Sequence, residues 1–104
     1  MDQFFSLDIR LGIYIPTLEK EWDQYDTSIQ EMILTKWERI RGTIPDRIKE
    51  IESKIEHLQQ QLYEEMDFER SCLLNQQIAE KASIINDLWI WYRSSEAITV
   101  KKHI

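Results

Sequence analysis

Turn-forming residues are scarce in this 104-residue sequence, which has two glycines, Gly12 and Gly42, and two prolines, Pro16 and Pro45. A β-sandwich of this length needs many more, so long helices joined by short connections are expected. The single cysteine, Cys72, excludes an intrachain disulfide and leaves no thiolate pair for a metal, which fits a reducing cytoplasm. No stretch approaches ~20 uninterrupted apolar residues, and no basic segment leads into an apolar one at the start. A cytoplasmic protein without membrane attachment is therefore expected.

Glycines at only two positions also exclude the common phosphate-cradling loops. The histidines His57 and His103 stand in neither an HExxH nor an ExxH spacing, so His57 reads as a surface residue of a polar helix. Cys72 has no base placed near it in sequence and reads as a small buried residue. Glu64, Glu65, Asp67 and Glu69 form an acidic cluster without EF-hand spacing, which reads as a solvated turn. The expectation is a protein that is not an enzyme, with no cofactor, no metal and no small-molecule substrate.

What is present is the composition of an ordinary globular domain, 42% hydrophobic and 31% charged, and one domain spanning residues 1–104. The formal charge of −6 argues against general nucleic-acid affinity. It is unevenly spread, acidic through residues 1–31 and 50–80 and basic through 32–49. The basic stretch holds Lys36, Arg39, Arg41, Arg47 and Lys49 against Glu38 and Asp46.

Leu18, Trp22, Tyr25, Ile29, Ile33, Trp37 and Ile40 recur every three or four positions, which predicts a helix near residues 16–41 with Pro16 in its first turn. Asp26-Thr27-Ser28, with Glu31 beyond, offers a capping box that would restart it. Gly42 reads as the C′ residue, and Thr43 to Asp46 as the start of a second helix near 45–65. There Ile48, Ile51, Ile55, Leu58 and Leu62 form a coiled-coil seam of barely three heptads, too short to stand without a partner. Asp67 caps a third helix near 68–93, with Phe68, Cys72, Asn75, Ile78, Ala82, Ile85, Trp89 and Tyr92 as its stripe. The second and third helices thus make an antiparallel hairpin turning at Met66 and Asp67.

The ends are ambiguous. Leu7, Ile9, Leu11, Ile13 and Ile15 alternate with a strand's period of two, while Phe4, Leu7, Leu11 and Tyr14 fit a helix equally well. The helical context favours helix for residues 5–15. The tail, 94–104, is expected to be loose. The fold class expected is all-α, an elongated three-helix bundle with an extra N-terminal segment across one end.

Met66-Asp67-Phe68-Glu69, then Ser71 and Cys72, with Leu74 and Ile78 six and ten positions after Phe68, resembles the second half of the UvrB/UvrC motif, with Leu58 and Leu62 in its first helix. The likeness covers residues 55–78. Asn75 stands where the family commonly has arginine, and Ser71 and Cys72 replace its usual alanines. The resemblance implies a short helical hairpin used for protein–protein contact, without nuclease or helicase activity.

Toward the end of the third helix Ile84, Ile85, Leu88, Trp89, Ile90, Trp91 and Tyr92 are apolar on all sides, a segment either enclosed by other elements or offered to another chain. Leu88, Trp89, Trp91, Tyr92 and Arg93 are accordingly the expected partner-binding residues, since Trp, Tyr and Arg are enriched in interface hot spots. The expected function is a non-catalytic interaction module or small regulatory adaptor, self-associating as a homodimer through its helical bundle. The alternative is a nucleic-acid-associated regulator using Lys36, Arg39, Arg41, Arg47 and Lys49, which would equally suit an acidic protein face.

Overall fold

The computed structural model describes residues 3–94. Two antiparallel strands, β1 (Phe5–Asp8) and β2 (Ile13–Pro16), precede a 3-10 turn at Trp22–Gln24 and three helices, α1 (Thr27–Arg41), α2 (Ile44–Glu64) and α3 (Phe68–Arg93). The chain is predominantly helical, as the shortage of turn residues implied. The tail expected to be loose falls, from residue 95 on, outside the described residues.

Residues 5–15 are not the expected helix. Phe5 pairs with Pro16, Ser6 with Ile15, Leu7 with Tyr14 and Asp8 with Ile13, so the period of two prevails over the helical fit. Gly12 decides the matter: its φ of 76° closes the loop 9–12 in a conformation that costs other residues about 1–2 kcal/mol. Asp8 completes the loop, its backbone oxygen accepting from Gly12 N–H at 2.7 Å and its side chain from Leu11 N–H at 2.9 Å.

Both faces of this β-hairpin are used. Leu11 and Ile13 join Ile44, Ile48, Ile51 and Leu88 in one core cluster. Phe4 and Phe5 join Ile33 and Trp37 in a second. Ile40 and Trp91 pack against both clusters and make them continuous.

The helix expected over 16–41 begins only at Thr27. Pro16 is the last residue of β2, and Asp26 is extended at φ −59°, ψ 153° as the N-cap, at the restart that Asp26-Thr27-Ser28 allowed, without the side-chain capping bond. Leu18, Trp22 and Tyr25 nevertheless pack on the same cluster as Ile29, Ile33 and Trp37. The regular spacing recorded burial correctly, but an extended segment and a 3-10 turn deliver the first three residues.

Gly42 is not the left-handed C′ residue expected. Gly42 (φ −64°, ψ −19°) and Thr43 (φ −87°, ψ −10°) both keep right-handed dihedrals, and Pro45 lacks the N–H that a continuous helix would give to the Arg41 carbonyl. α1 therefore bends into α2 instead of folding back beside it. Its main packing is against β2, while α2 and α3 pair along their length. The result is a rod, 60 × 25 × 23 Å, in place of three helices lying side by side.

The turn between α2 and α3 falls at Glu65-Met66-Asp67, as expected. Asp67 caps α3, its carboxylate accepting from Glu69 N–H at 3.3 Å. The buried seam of α3 is rotated from the expected stripe. Leu74 and Leu88 are buried and Ile78, Lys81, Ile85 and Tyr92 half-buried, whereas Phe68, Cys72, Asn75 and Ala82 are exposed. Steps of four and three from Leu74 to Tyr92 match the α2 seam, which is what an antiparallel pair requires. Lys81 hides that heptad in the sequence because its aliphatic stem, not an apolar side chain, fills the position.

Candidate interaction surface

The aromatic end of α3 is largely consumed by the chain's own core. Leu88 is 0% exposed, so no surface of it remains for a partner. Trp91 meets Trp37 edge-on at 5.6 Å between ring centroids, and Trp89 meets Tyr92 in the same way at 5.4 Å. Trp89, Trp91 and Tyr92 are half-buried, leaving Ile90 and Arg93 exposed. α2, the β-hairpin and α1 together enclose the segment whose all-round hydrophobicity marked it.

The basic residues divide in the same manner. Arg41 donates to the Tyr92 carbonyl at 3.1 Å and to Glu38 at 2.6 Å, and lies 5.6 Å from the Tyr92 ring centroid. Arg47 donates through Nε to the Leu11 carbonyl at 2.9 Å and pairs with Glu50 at 3.2 Å. Both are half-buried and fasten α3 and the β-hairpin to the α1–α2 junction. Lys36, Arg39 and Lys49 are exposed, Lys36 with its ammonium 6.0 Å from the Phe5 ring centroid. Lys36 and Arg39 border an open groove of about 380 Å³ on α1, floored by Ser28, Thr35 and Met32.

The opposite end of the rod is uncovered. The β-hairpin and α1 clothe the half of the helical hairpin near Ile44 and Leu88; beyond them Leu74 is still buried, but Ile55, Leu58 and Leu62 are only half-buried. At the tip Tyr63, Met66, Phe68 and Leu73 are 91%, 97%, 79% and 58% exposed. Phe68 and Leu73, five positions apart on α3, lie about 140° apart around the helix and so stand on either flank of its seam. An open groove of about 890 Å³ follows α2 from Ser53 to Tyr63, with His57, Leu58 and Lys81 along it. Sequence patterning missed this surface because Phe68 was assigned to the inner stripe and Tyr63 and Leu73 to none.

The carboxylates of the tip serve the turn. Glu65 pairs with Arg70 at 3.4 Å and accepts from Asp67 N–H at 3.2 Å, and Asp67 caps α3. Among the described residues no group of three or more His, Cys, Asp or Glu side chains is placed to hold a metal ion. Cys72 is exposed, which corrects its expected burial. No helix among the described residues is long and apolar enough to cross a membrane. Compared with known proteins, the chain matches no family model, no curated protein and no solved structure.

Proposed function

We propose that this chain is a non-catalytic protein–protein interaction module that associates with itself through the distal half of its helical hairpin. The observation that carries this is the bare tip, where Tyr63, Met66, Phe68 and Leu73 stand in solvent beside a seam covered on one side only. A two-helix pair buries each seam residue against one neighbour, whereas a bundle of four buries it against several. The distal hairpin has the surface of half such a bundle. The resemblance of residues 55–78 to a contact hairpin points to the same segment. The basic-junction alternative has less to stand on, since Arg41 and Arg47 are engaged within the chain.

Light scattering and sedimentation tests the proposal at about 100 µM protein, where an association of about 5.5 kcal/mol is half-formed. Wild type is expected as a dimer, and Phe68→Ser with Leu73→Ser as a monomer of unchanged helicity. A wild-type protein that remains monomeric at that concentration overturns the proposal.

A further inference from the structure

The rod is electrically polar along its length. Its tip carries Glu64, Glu65, Asp67 and Glu69 against Arg70, while the α1–α2 junction carries Lys36, Arg39 and Lys49, with Arg41 and Arg47 paired to Glu38 and Glu50, against Asp46. Within one copy these ends do not meet. Arg39 and Met66 are separated by some 27 residues of nearly continuous helix, about 40 Å at ~1.5 Å per residue.

Resting on the self-association proposed above, we infer that the partner is a second copy lying antiparallel, with the acidic tip of each on the basic junction of the other. In that arrangement the exposed Phe68 and Met66, flanked by Asp67 and Glu69, meet the α1 groove where Met32 lies among Lys36, Arg39 and the single carboxylate Glu31. Apolar side chains then face apolar ones inside a ring of opposite charges. A parallel pairing would instead set tip against tip, carboxylates on carboxylates.

Length and area agree with this. Antiparallel overlap over ~40 Å, across a face two helix diameters wide at ~10 Å each, sets an upper bound of about 800 Å² per partner, the size of a standard stable interface; the β-hairpin and α1 reduce it where they already clothe the junction half. In this register the shared axis passes close to Ser53, so the α2 groove from Ser53 to Tyr63 runs outward from the axis and each distal half lies over the partner's half nearer the α1–α2 junction. Because each copy offers the same two patches, the contact is isologous and closes at two.

Charge reversal at each end, singly and in mixture, tests the pairing. Glu64→Lys with Glu69→Lys makes both ends basic; Lys36→Glu with Arg39→Glu makes both acidic. Each variant alone is expected to dimerise at least tenfold more weakly than wild type, and the wild-type dimer to weaken as salt rises. Mixed in equal amounts, the two variants are expected to form a heterodimer with both tip-on-junction contacts restored. Thermal melting of each variant confirms folding, and should the junction variant not fold, the tip variant and the salt series still decide. A wild-type dimer indifferent to salt and to charge reversal overturns the tip-on-junction pairing while self-association stands. Mass growing past two copies with concentration overturns the closed two-fold. A wild-type monomer overturns both.

Discussion

Replacing Gly12 by alanine tests the device that turns the β-hairpin and ties it to α2. Two costs arise. The φ of 76° is left-handed and costs an alanine about 1–2 kcal/mol. An added Cβ would also lie 2.7 Å from Arg47 Nε and 2.8 Å from its Cζ. The guanidinium is the end of a flexible chain and can swing away, so the clash itself is cheap. Moving it breaks the 2.9 Å bond to the Leu11 carbonyl. The Arg47 side chain is 26% exposed, so water partly replaces the lost donor and about 1 kcal/mol is the appropriate share. The total is about 2–3 kcal/mol, or a fall in Tm of roughly 10–15 °C at ~5 °C per kcal/mol. Urea and thermal unfolding of dilute protein, followed by far-UV circular dichroism, measures it. With Arg47→Ala already present, Gly12→Ala should cost only the backbone term, about 1–2 kcal/mol, leaving a coupling of about 1 kcal/mol. A Gly12→Ala protein within about 0.5 kcal/mol of wild type would refute the need for a left-handed residue. Equal costs in both backgrounds would refute the role given to Arg47.

Gly42→Ala should behave in the opposite way: its dihedrals are right-handed and an added Cβ meets nothing closer than 3.5 Å, so a gain of about 0.4–1 kcal/mol in urea unfolding is expected. Leu88→Ala, at a site with no exposure, should lower stability by about 3–5 kcal/mol, whereas Phe68→Ser at the bare tip should change the stability of dilute protein by less than about 0.5 kcal/mol. Trp37 is wholly buried with its indole N–H unpaired; Trp37→Phe removes that unmet donor and should cost clearly less than the ~3–5 kcal/mol of Trp37→Ala in the same assay. Arg10→Ala breaks a 2.7 Å ion pair to Asp87 whose side chains are 48% and 40% exposed, and a change in Tm of no more than a few degrees is expected.

Much of the helical hairpin was legible in the sequence because its signals are local. Ile48 to Leu62 step by four and three, Asp67 stands at the N-cap, and no glycine or proline interrupts either helix. The N-terminal third was less legible because periodicity reports burial and not conformation. Leu18, Trp22 and Tyr25 are spaced for a helix face and do reach that core, yet they arrive on extended and 3-10 backbone. At residues 5–15 two periods fitted, and φ at Gly12, which composition does not reveal, separates them. The helical stretch 84–92 is apolar on every side because three different elements pack on it. Its sequence alone states that something covers it, not that the cover begins at Phe4. The tip was misjudged through Lys81, which occupies a seam position and shifted the inferred stripe onto Phe68 and Cys72.

The β-hairpin has a consequence for the order in which the protein can form. Arg10 binds Asp87 and Ser83 across separations of 77 and 73 residues, so the β-hairpin finds part of its seat on an element far along the chain. α2 and α3 need only each other to zip from a three-residue turn, which is fast and local. Leu11 and Ile13 sit on Ile44, Ile48 and Ile51 of α2 together with Leu88 of α3, a seat that is complete only once α3 has formed, whereas Phe5 packs on Trp37 of α1. Folding should therefore be paced by the docking of a short strand pair onto a finished helical pair. Substitutions at Leu11 and Ile13 would then act chiefly on the final step, accelerating unfolding more than they slow the formation of helix.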